Sequence, residues 1–212
     1  NSLTKITKNK TVVWINDLNL FSNLVDSLKL PLRWKLRLKR HFWRTEYFKD
    51  LLSRLETGSD LKKNVFELDK KLYLKMKKLN KNQKIAGRKI SEILKRFEKK
   101  INEPRSDING EKISKIIKEY LKINCKLKNA KEILNKFEKK HKINLKINEF
   151  DLFNLKIKNK EVFFSTKTGR RTEYYTGIVF EIYKKSKKIH LASGGRYDNL
   201  MQILGAKRKI PA

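Results

Sequence analysis

A single cysteine, Cys125, in 212 residues excludes an internal disulfide. The three histidines at 41, 141 and 190 are too scattered to combine with that thiol into a zinc-type cluster. No apolar run approaches the ~18 residues that a membrane-spanning helix requires. Nor does an apolar stretch follow a basic start, as it does in a secretory leader. Acidic residues are few: 22 Asp and Glu stand against 54 Lys and Arg, for a formal charge of +32. What remains is the pattern of a soluble, cytoplasmic chain without metal or cofactor chemistry.

The charge by itself would suggest nucleic acid, because neutralising phosphates dominates such binding. Its make-up points elsewhere. Of the basic residues 42 are Lys and 12 are Arg, while Ile (20) and Asn (18) are abundant and Ala is scarce. An AT-rich genome imposes that bias on all its proteins. The lysines are spread along the chain, so a solvated lysine-rich surface is the expectation and a nucleic-acid partner is not.

From Asp17 to about Lys140 the periodicity is helical. Leu18, Phe21, Leu24, Val25 and Leu28 define a first stripe, with Asp17 as its N-cap. Pro31 opens a second helix that turns Trp34, Leu38 and Phe42 to one face. A third runs from Glu46 to Leu55. Asp60 starts a fourth, striped by Leu61, Val65, Leu68, Leu72 and Met76, and Gly87 precedes a fifth with Ile90, Ile93, Leu94 and Phe97 inward. Two more carry Ile113, Ile116, Ile117, Tyr120 and Leu121, then Leu127, Ala130, Ile133, Leu134 and Phe137. All these stripes read as core faces. Residues 102–110 form the best candidate for an internal break.

After residue 150 the period changes to two. Val162–Thr166, Tyr174–Tyr183 and Lys188–Ala192 read as strands, the last two joined as a hairpin. The fold class is therefore α+β: residues 1–150 mainly helical, residues 151–212 antiparallel sheet. The start at Asn1 and the close at Pro211-Ala212 both look cut, as in an internal fragment.

Two segments carry more information than the rest. Gly169-Arg-Arg-Thr-Glu-Tyr-Tyr-Thr-Gly-Ile-Val-Phe-Glu181 places phenols and carboxylates behind two arginines. Such a set can hold a small zwitterion, an Arg meeting its carboxylate and an acid its ammonium. An amphipathic strand with half-buried tyrosines fits the same residues. Gly177 inside a strand would mark a bulge or a close approach. In Ser193-Gly-Gly-Arg-Tyr-Asp-Asn-Leu200 the paired glycines allow a tight turn against a ligand. A plain strand-to-helix turn capped by Asp198 explains them too. No Gly-Lys-Ser/Thr follows, so this is not a phosphate-cradling loop.

In this order and about twenty residues apart, the two segments resemble the histidine-specific part of the class II synthetase fold. Histidyl-tRNA synthetases carry Arg-Gly-Leu-Asp-Tyr-Tyr-Thr-Gly-x-Val-Phe-Glu, then Gly-Gly-Arg-Tyr-Asp. Arg170 falls on that family's catalytic arginine and Glu173 on its acidic position. Tyr174-Tyr175-Thr176-Gly177, Val179-Phe180-Glu181 and Gly194-Gly195-Arg196-Tyr197-Asp198 match outright. The Gly-Leu pair is replaced by Arg171-Thr172, which leaves room for a histidine pocket and weakens the case for an aminoacylation site. The family's earlier strands and its last active-site motif have no counterpart here. Asp17–Phe21, Leu30–Arg40, Ile85–Arg88 with Glu92, Ile93 and Phe97, and Gly205-Ala206 with Ile210–Ala212 are similar to a non-synthetase branch. That branch comprises the regulatory subunits of ATP phosphoribosyltransferase of the alphaproteobacterial kind.

The resemblance implies a non-catalytic subunit of histidine biosynthesis. Such a subunit assembles with a short-form catalytic subunit, which transfers phosphoribosyl from PRPP to ATP, and makes that step active and histidine-sensitive. It also implies self-association as in synthetase-like dimers, and histidine as effector. Glu173, Tyr175 and Tyr197 would meet its imidazole or ammonium and Arg170 its carboxylate. Gly194 and Gly195 would form the floor, and Tyr174 and Arg196 would belong to the same set, with a turn toward the core as the alternative for Tyr174. A histidyl-tRNA synthetase fragment is the alternative reading, and a basic RNA-binding module without histidine chemistry is a third.

Overall fold

The computed structural model describes residues 11–59, 63–101, 109–154, 161–170, 174–185 and 189–208. Its frame is a strand outside the segments read above. Thr11-Val-Val-Trp-Ile-Asn-Asp17 is β-branched and aromatic in its first five positions, a composition that favours pleated backbone. It forms β1 (Thr11–Asp17). Four more strands join it: β4 (Asn124–Lys126), β5 (Glu161–Ser165), β6 (Ile178–Lys184) and β7 (Ile189–Gly195), in the order β4-β5-β1-β6-β7. The intervening β2 (Lys84–Ile85) and β3 (Arg88–Lys89) pair only with each other, around Ala86 and Gly87, both at positive φ.

The sheet is mixed rather than wholly antiparallel. β1 runs parallel to β5, with Trp14 opposite Phe163, and antiparallel to β6, with Trp14 opposite Glu181. A parallel neighbour requires a crossover, and the whole helical region between β1 and β5 supplies it. Two of the five strands, β1 and β4, thus come from the first 150 residues. β6 begins at Ile178 instead of Tyr174, while β7 continues through Gly194 and Gly195.

Asp17 ends β1 and caps the next helix, its carboxylate accepting from the Asn19 N–H at 2.9 Å. That helix is α1 (Leu18–Ser27), followed by α2 (Leu32–Arg40) and α3 (Thr45–Thr57). Next come α4 (Lys63–Lys77), α5 (Ile90–Ile101), α6 (Gly110–Tyr120) and α7 (Leu127–His141), with a short α8 (Leu200–Ile203) after β7. The core lies between the sheet and α1, α2, α3, α6 and α7. Its centre is aromatic: Phe21 stacks on Phe42 at 3.7 Å between centroids, and Phe48 and Tyr120 close around them at 5.7 and 6.1 Å from Phe21. Gly110 lets α6 start directly against α3, since a Cβ there would lie 1.8 Å from the Leu55 carbonyl oxygen.

The fourth stripe departs from expectation. Leu68 and Leu72 on α4 are 59% and 40% exposed, so that face is not core. Among the described residues α4 packs on α5, which buries Ile90 and Leu94, and neither helix joins the central cluster. The side chains of Leu61 and Val65, the start at Asp60, and most of the 102–110 loop lie outside the described residues.

Phe48→Ala should cost about 3–5 kcal/mol by denaturant unfolding, because it opens a cavity in this aromatic centre. Leu204→Ala, at a position 72% exposed, should stay within about 0.5 kcal/mol. A second expectation concerns acid. Glu119 accepts from Lys140 at 2.8 Å and pairs with His141 at 2.9 Å, and these partners, Lys140 foremost, hold its carboxyl below the usual range. The stability from this depressed carboxyl is present above its unfolded pKa and lost as pH falls through the folded one. Glu119→Gln should flatten the acid limb of a thermal-midpoint profile.

Candidate functional site

The segment 174–177 stops short of β6 because its hydrogen bonds go elsewhere. The Gly177 carbonyl accepts from the Leu18 N–H at 3.1 Å, which ties it to the start of α1. The Thr176 N–H donates to the Arg196 carbonyl at 2.8 Å, and Thr176 Oγ1 accepts from the Asp198 N–H at 3.1 Å. The two motif segments are therefore bound to each other just past the end of the β6–β7 ladder. Gly195 permits the contact, since a Cβ there would lie 2.7 Å from Val179 Cγ1 and 2.9 Å from Tyr175 Cδ1.

This pairing gathers the tyrosines. Tyr174 and Tyr175 meet edge to face at 4.9 Å, and Tyr197 meets Tyr174 at 6.1 Å. Burial first, and then the neighbouring Tyr174, push the Tyr175 phenol up. Tyr174 is 45% exposed and does not turn into the core. Strand alternation gives no direction for a side chain whose backbone lies outside the ladder.

Arg170 arrives from the other side. It ends the turn that follows β5, where the Asn16 side-chain amide donates to the Thr168 carbonyl at 3.1 Å and the Gly169 N–H donates to Glu181 Oε1 at 3.3 Å. Its guanidinium is buried at 8% exposure, with Nε donating to the Phe42 carbonyl at 3.0 Å. The charged plane lies 4.4 Å from the Phe42 ring centroid and 5.0 Å from that of Phe48. Among the described residues its Nη2 has no hydrogen-bond partner. Desolvation pushes Arg170 down to about 10, as expected for a cation held without a carboxylate.

Arg170 and Tyr175 line one cavity of about 280 Å³, walled by α1, the turn after α2, Gly169, Thr176 and Asn199. Two further unpartnered buried atoms belong to residues lining it, Trp43 Nε1 and Asn199 Oδ1. The set comprises two kinds of donor, guanidinium and indole N–H, and one acceptor. It matches a small ligand with a carboxylate at one end and a donor such as an ammonium at the other. Its size suits a small metabolite rather than a polymer. Among the described residues no group of His, Cys, Asp and Glu could hold a metal ion.

The other motif residues take other positions. Tyr174 and Tyr197 stand beside Tyr175 without lining the cavity, and Gly195 lies beneath Tyr175. Gly194 faces the opposite side of the sheet, under the Phe180 ring. Arg196 is exposed and forms an ion pair with Asp198 at 2.7 Å. Glu173, with Arg171 and Thr172, lies outside the described residues. Trp43 and Asn199 were not singled out as site residues by the sequence. The only signal for Trp43 was an indole just past the end of an amphipathic helix.

Comparison with known proteins places these observations. The profile of the family described as Histidyl-tRNA synthetase matches residues 16–212. A curated ATP phosphoribosyltransferase regulatory subunit from Agrobacterium fabrum is 30% identical over 94% of this chain and 58% of its own length. One from Rhizobium johnstonii is 31% identical over the same shares. The chain thus spans little more than half the length of these relatives. The crystal structure of histidyl-tRNA synthetase from Nostoc sp. PCC 7120 superimposes with a TM-score of 0.52 at 17% identity. It covers 99% of this chain and 40% of that one, a likeness of fold alone.

The tight seat of Gly195 gives a direct test of the site's construction. Gly195→Ala should destabilise by about 1–3 kcal/mol through overpacking. Near-ultraviolet circular dichroism should report displaced tyrosines while the far-ultraviolet spectrum is kept.

Proposed function

Since the chain belongs to the histidyl-tRNA synthetase family, we propose that it is part of a regulatory subunit of ATP phosphoribosyltransferase that binds histidine and does no chemistry of its own. What supports this reading is the 30–31% identity, sustained over 94% of the chain, to curated proteins of that name. The cavity supports the ligand class. A histidine carboxylate would meet the unsatisfied Nη2 of Arg170, already desolvated and in want of a counter-charge. The Asn199 carbonyl oxygen would accept from the ammonium, and Tyr175, backed by Tyr174 and Tyr197, would border the imidazole. Glu173 and Gly195 complete the motif set on this reading, while Gly194 and Arg196 act by shaping the turn that carries Tyr197.

Regulation then follows from where the walls originate. The cavity joins α1 and the turn after α2 to Gly169, Arg170, Tyr175 and Thr176 beside the sheet. A ligand seated there favours whichever arrangement of the two layers closes on it, and shifts the complex only as far as it binds that arrangement better. The catalytic subunit, which moves phosphoribosyl from PRPP to ATP, would feel histidine through that difference. The synthetase reading keeps one specific support, the family profile itself. It requires histidine-dependent ATP–pyrophosphate exchange by the protein alone.

The full-length protein mixed with a short-form catalytic subunit from the same source should form phosphoribosyl-ATP, and less of it when histidine is added. Tyr175→Ala, at the tyrosine that lines the cavity, should remove the inhibition by histidine while activation on mixing survives. Unchanged inhibition in that variant would mean that histidine binds elsewhere. No activation on mixing, with exchange activity present, would establish the synthetase reading instead.

A further inference from the structure

A second and larger concavity, of about 1100 Å³, lies between α2 and the α4–α5 pair, away from the tyrosines and Arg170. Arg33, Arg37 and Arg40 line it from α2, and Arg88, Lys95, Arg96 and Lys99 from β3 and α5. Two carboxylates, Asp69 and Glu92, stand among these seven cations. Codon bias does not account for the choice of cation: five of the seven are arginine, in a chain with 12 Arg to 42 Lys. Arginine offers a planar fork that meets carboxylate or phosphate in two parallel hydrogen bonds, which lysine does not.

The floor narrows the ligand class. Leu36 is 57% exposed within the groove, and Ile93 and Phe97 are half-buried there. A phosphate chain would engage the cationic rim and leave these apolar surfaces wet. The volume also exceeds the ~300–1,000 Å³ usual for small-molecule sites. Apolar centre, arginine rim and size together match a protein interface.

We infer that the groove between α2 and α5 is a docking site for a segment of a protein partner that presents apolar side chains flanked by carboxylates. Under the regulatory reading above, on which this assignment of the partner rests, the catalytic subunit supplies that segment. The histidine cavity and the docking groove then share α2. Lys39 lines the smaller cavity, and Arg33, Leu36, Arg37 and Arg40 line the larger.

The test uses the full-length protein with Arg40→Glu, Arg88→Glu and Arg96→Glu combined, all exposed positions whose reversal spares the core. A control combines Lys115→Glu, Lys128→Glu and Lys131→Glu, equally exposed on α6 and α7. Affinity is measured for the catalytic subunit and, separately, for a synthetic amphipathic peptide with a leucine ridge flanked by glutamates. The groove variant should lose about tenfold or more for both probes and most of its salt dependence. The control should stay near wild type, and histidine affinity should be unchanged. Equal losses in both variants would reduce the effect to diffuse charge and overturn the inference, as would full affinity in the groove variant. Loss of single-stranded RNA binding with peptide and subunit binding intact would assign the groove to RNA and overturn it too. If the wild-type protein ignores the catalytic subunit, the regulatory reading fails by itself. The peptide then decides the groove: binding lost only in the groove variant upholds it, and no binding to wild type ends it.

Discussion

The double pairing of β1 is the constraint on which the rest of this structure depends. One seven-residue strand is antiparallel to β6 along its whole length and parallel to β5 along four positions. Without it, β4–β5 and β6–β7 would be two separate ribbons, each of marginal stability on its own. The strand also sets where the helical layer begins. Asp17, which burial raises against the opposing hydrogen bonds from Asn19, is both its last residue and the cap of α1. The Leu18 N–H then holds Gly177 in place. Sheet, first helix and motif segment meet at that junction.

Three polar groups left without partners lie together at the same end of the molecule. A buried donor or acceptor without a partner costs about 1–3 kcal/mol, and structures retain such groups where something else compensates. Arg170, Trp43 and Asn199 each carry one, and all three line the smaller cavity. The aromatic faces of Phe42 and Phe48 and the Phe42 carbonyl hold the guanidinium in position before any ligand arrives. This is preorganisation in the physical sense: the cost of burying the cation is met in folding, and a carboxylate gains the interaction without first ordering a side chain.

The two concavities differ in the kind of burial they offer. The smaller is built on the aromatic core and is lined by residues with buried polar atoms that lack partners. The larger lies on the outlying α4–α5 pair, whose Leu68, Leu72 and Leu74 remain exposed because that pair buries only part of its apolar surface against itself. Both border α2, whose Trp34 and Leu38 are buried while Leu32, Leu36 and Arg40 face out. A helix with its inner face in the core and its outer face in a groove is suited to carry a change at one to the other.

What the sequence by itself determined follows local rules. Helical spacing marked α1, α2, α3, α6 and α7 and their buried faces, because period and apolarity are properties of neighbouring residues. The two motifs identified the family on side-chain identity alone, and they named Arg170 and Tyr175 before any fold was known. Only the tertiary structure decided the remainder. The parallel pairing of β1 with β5 joins residues about 150 positions apart, and no periodicity encodes such a contact. The stripe on α4 has the pattern of a core face, yet its exposure depends on the absence of a covering element among the described residues. Trp43 and Asn199 became cavity residues only because the turn after α2 and the turn after β7 converge on Arg170. Local pattern sets which residues seek burial; long-range pairing sets what they are buried against.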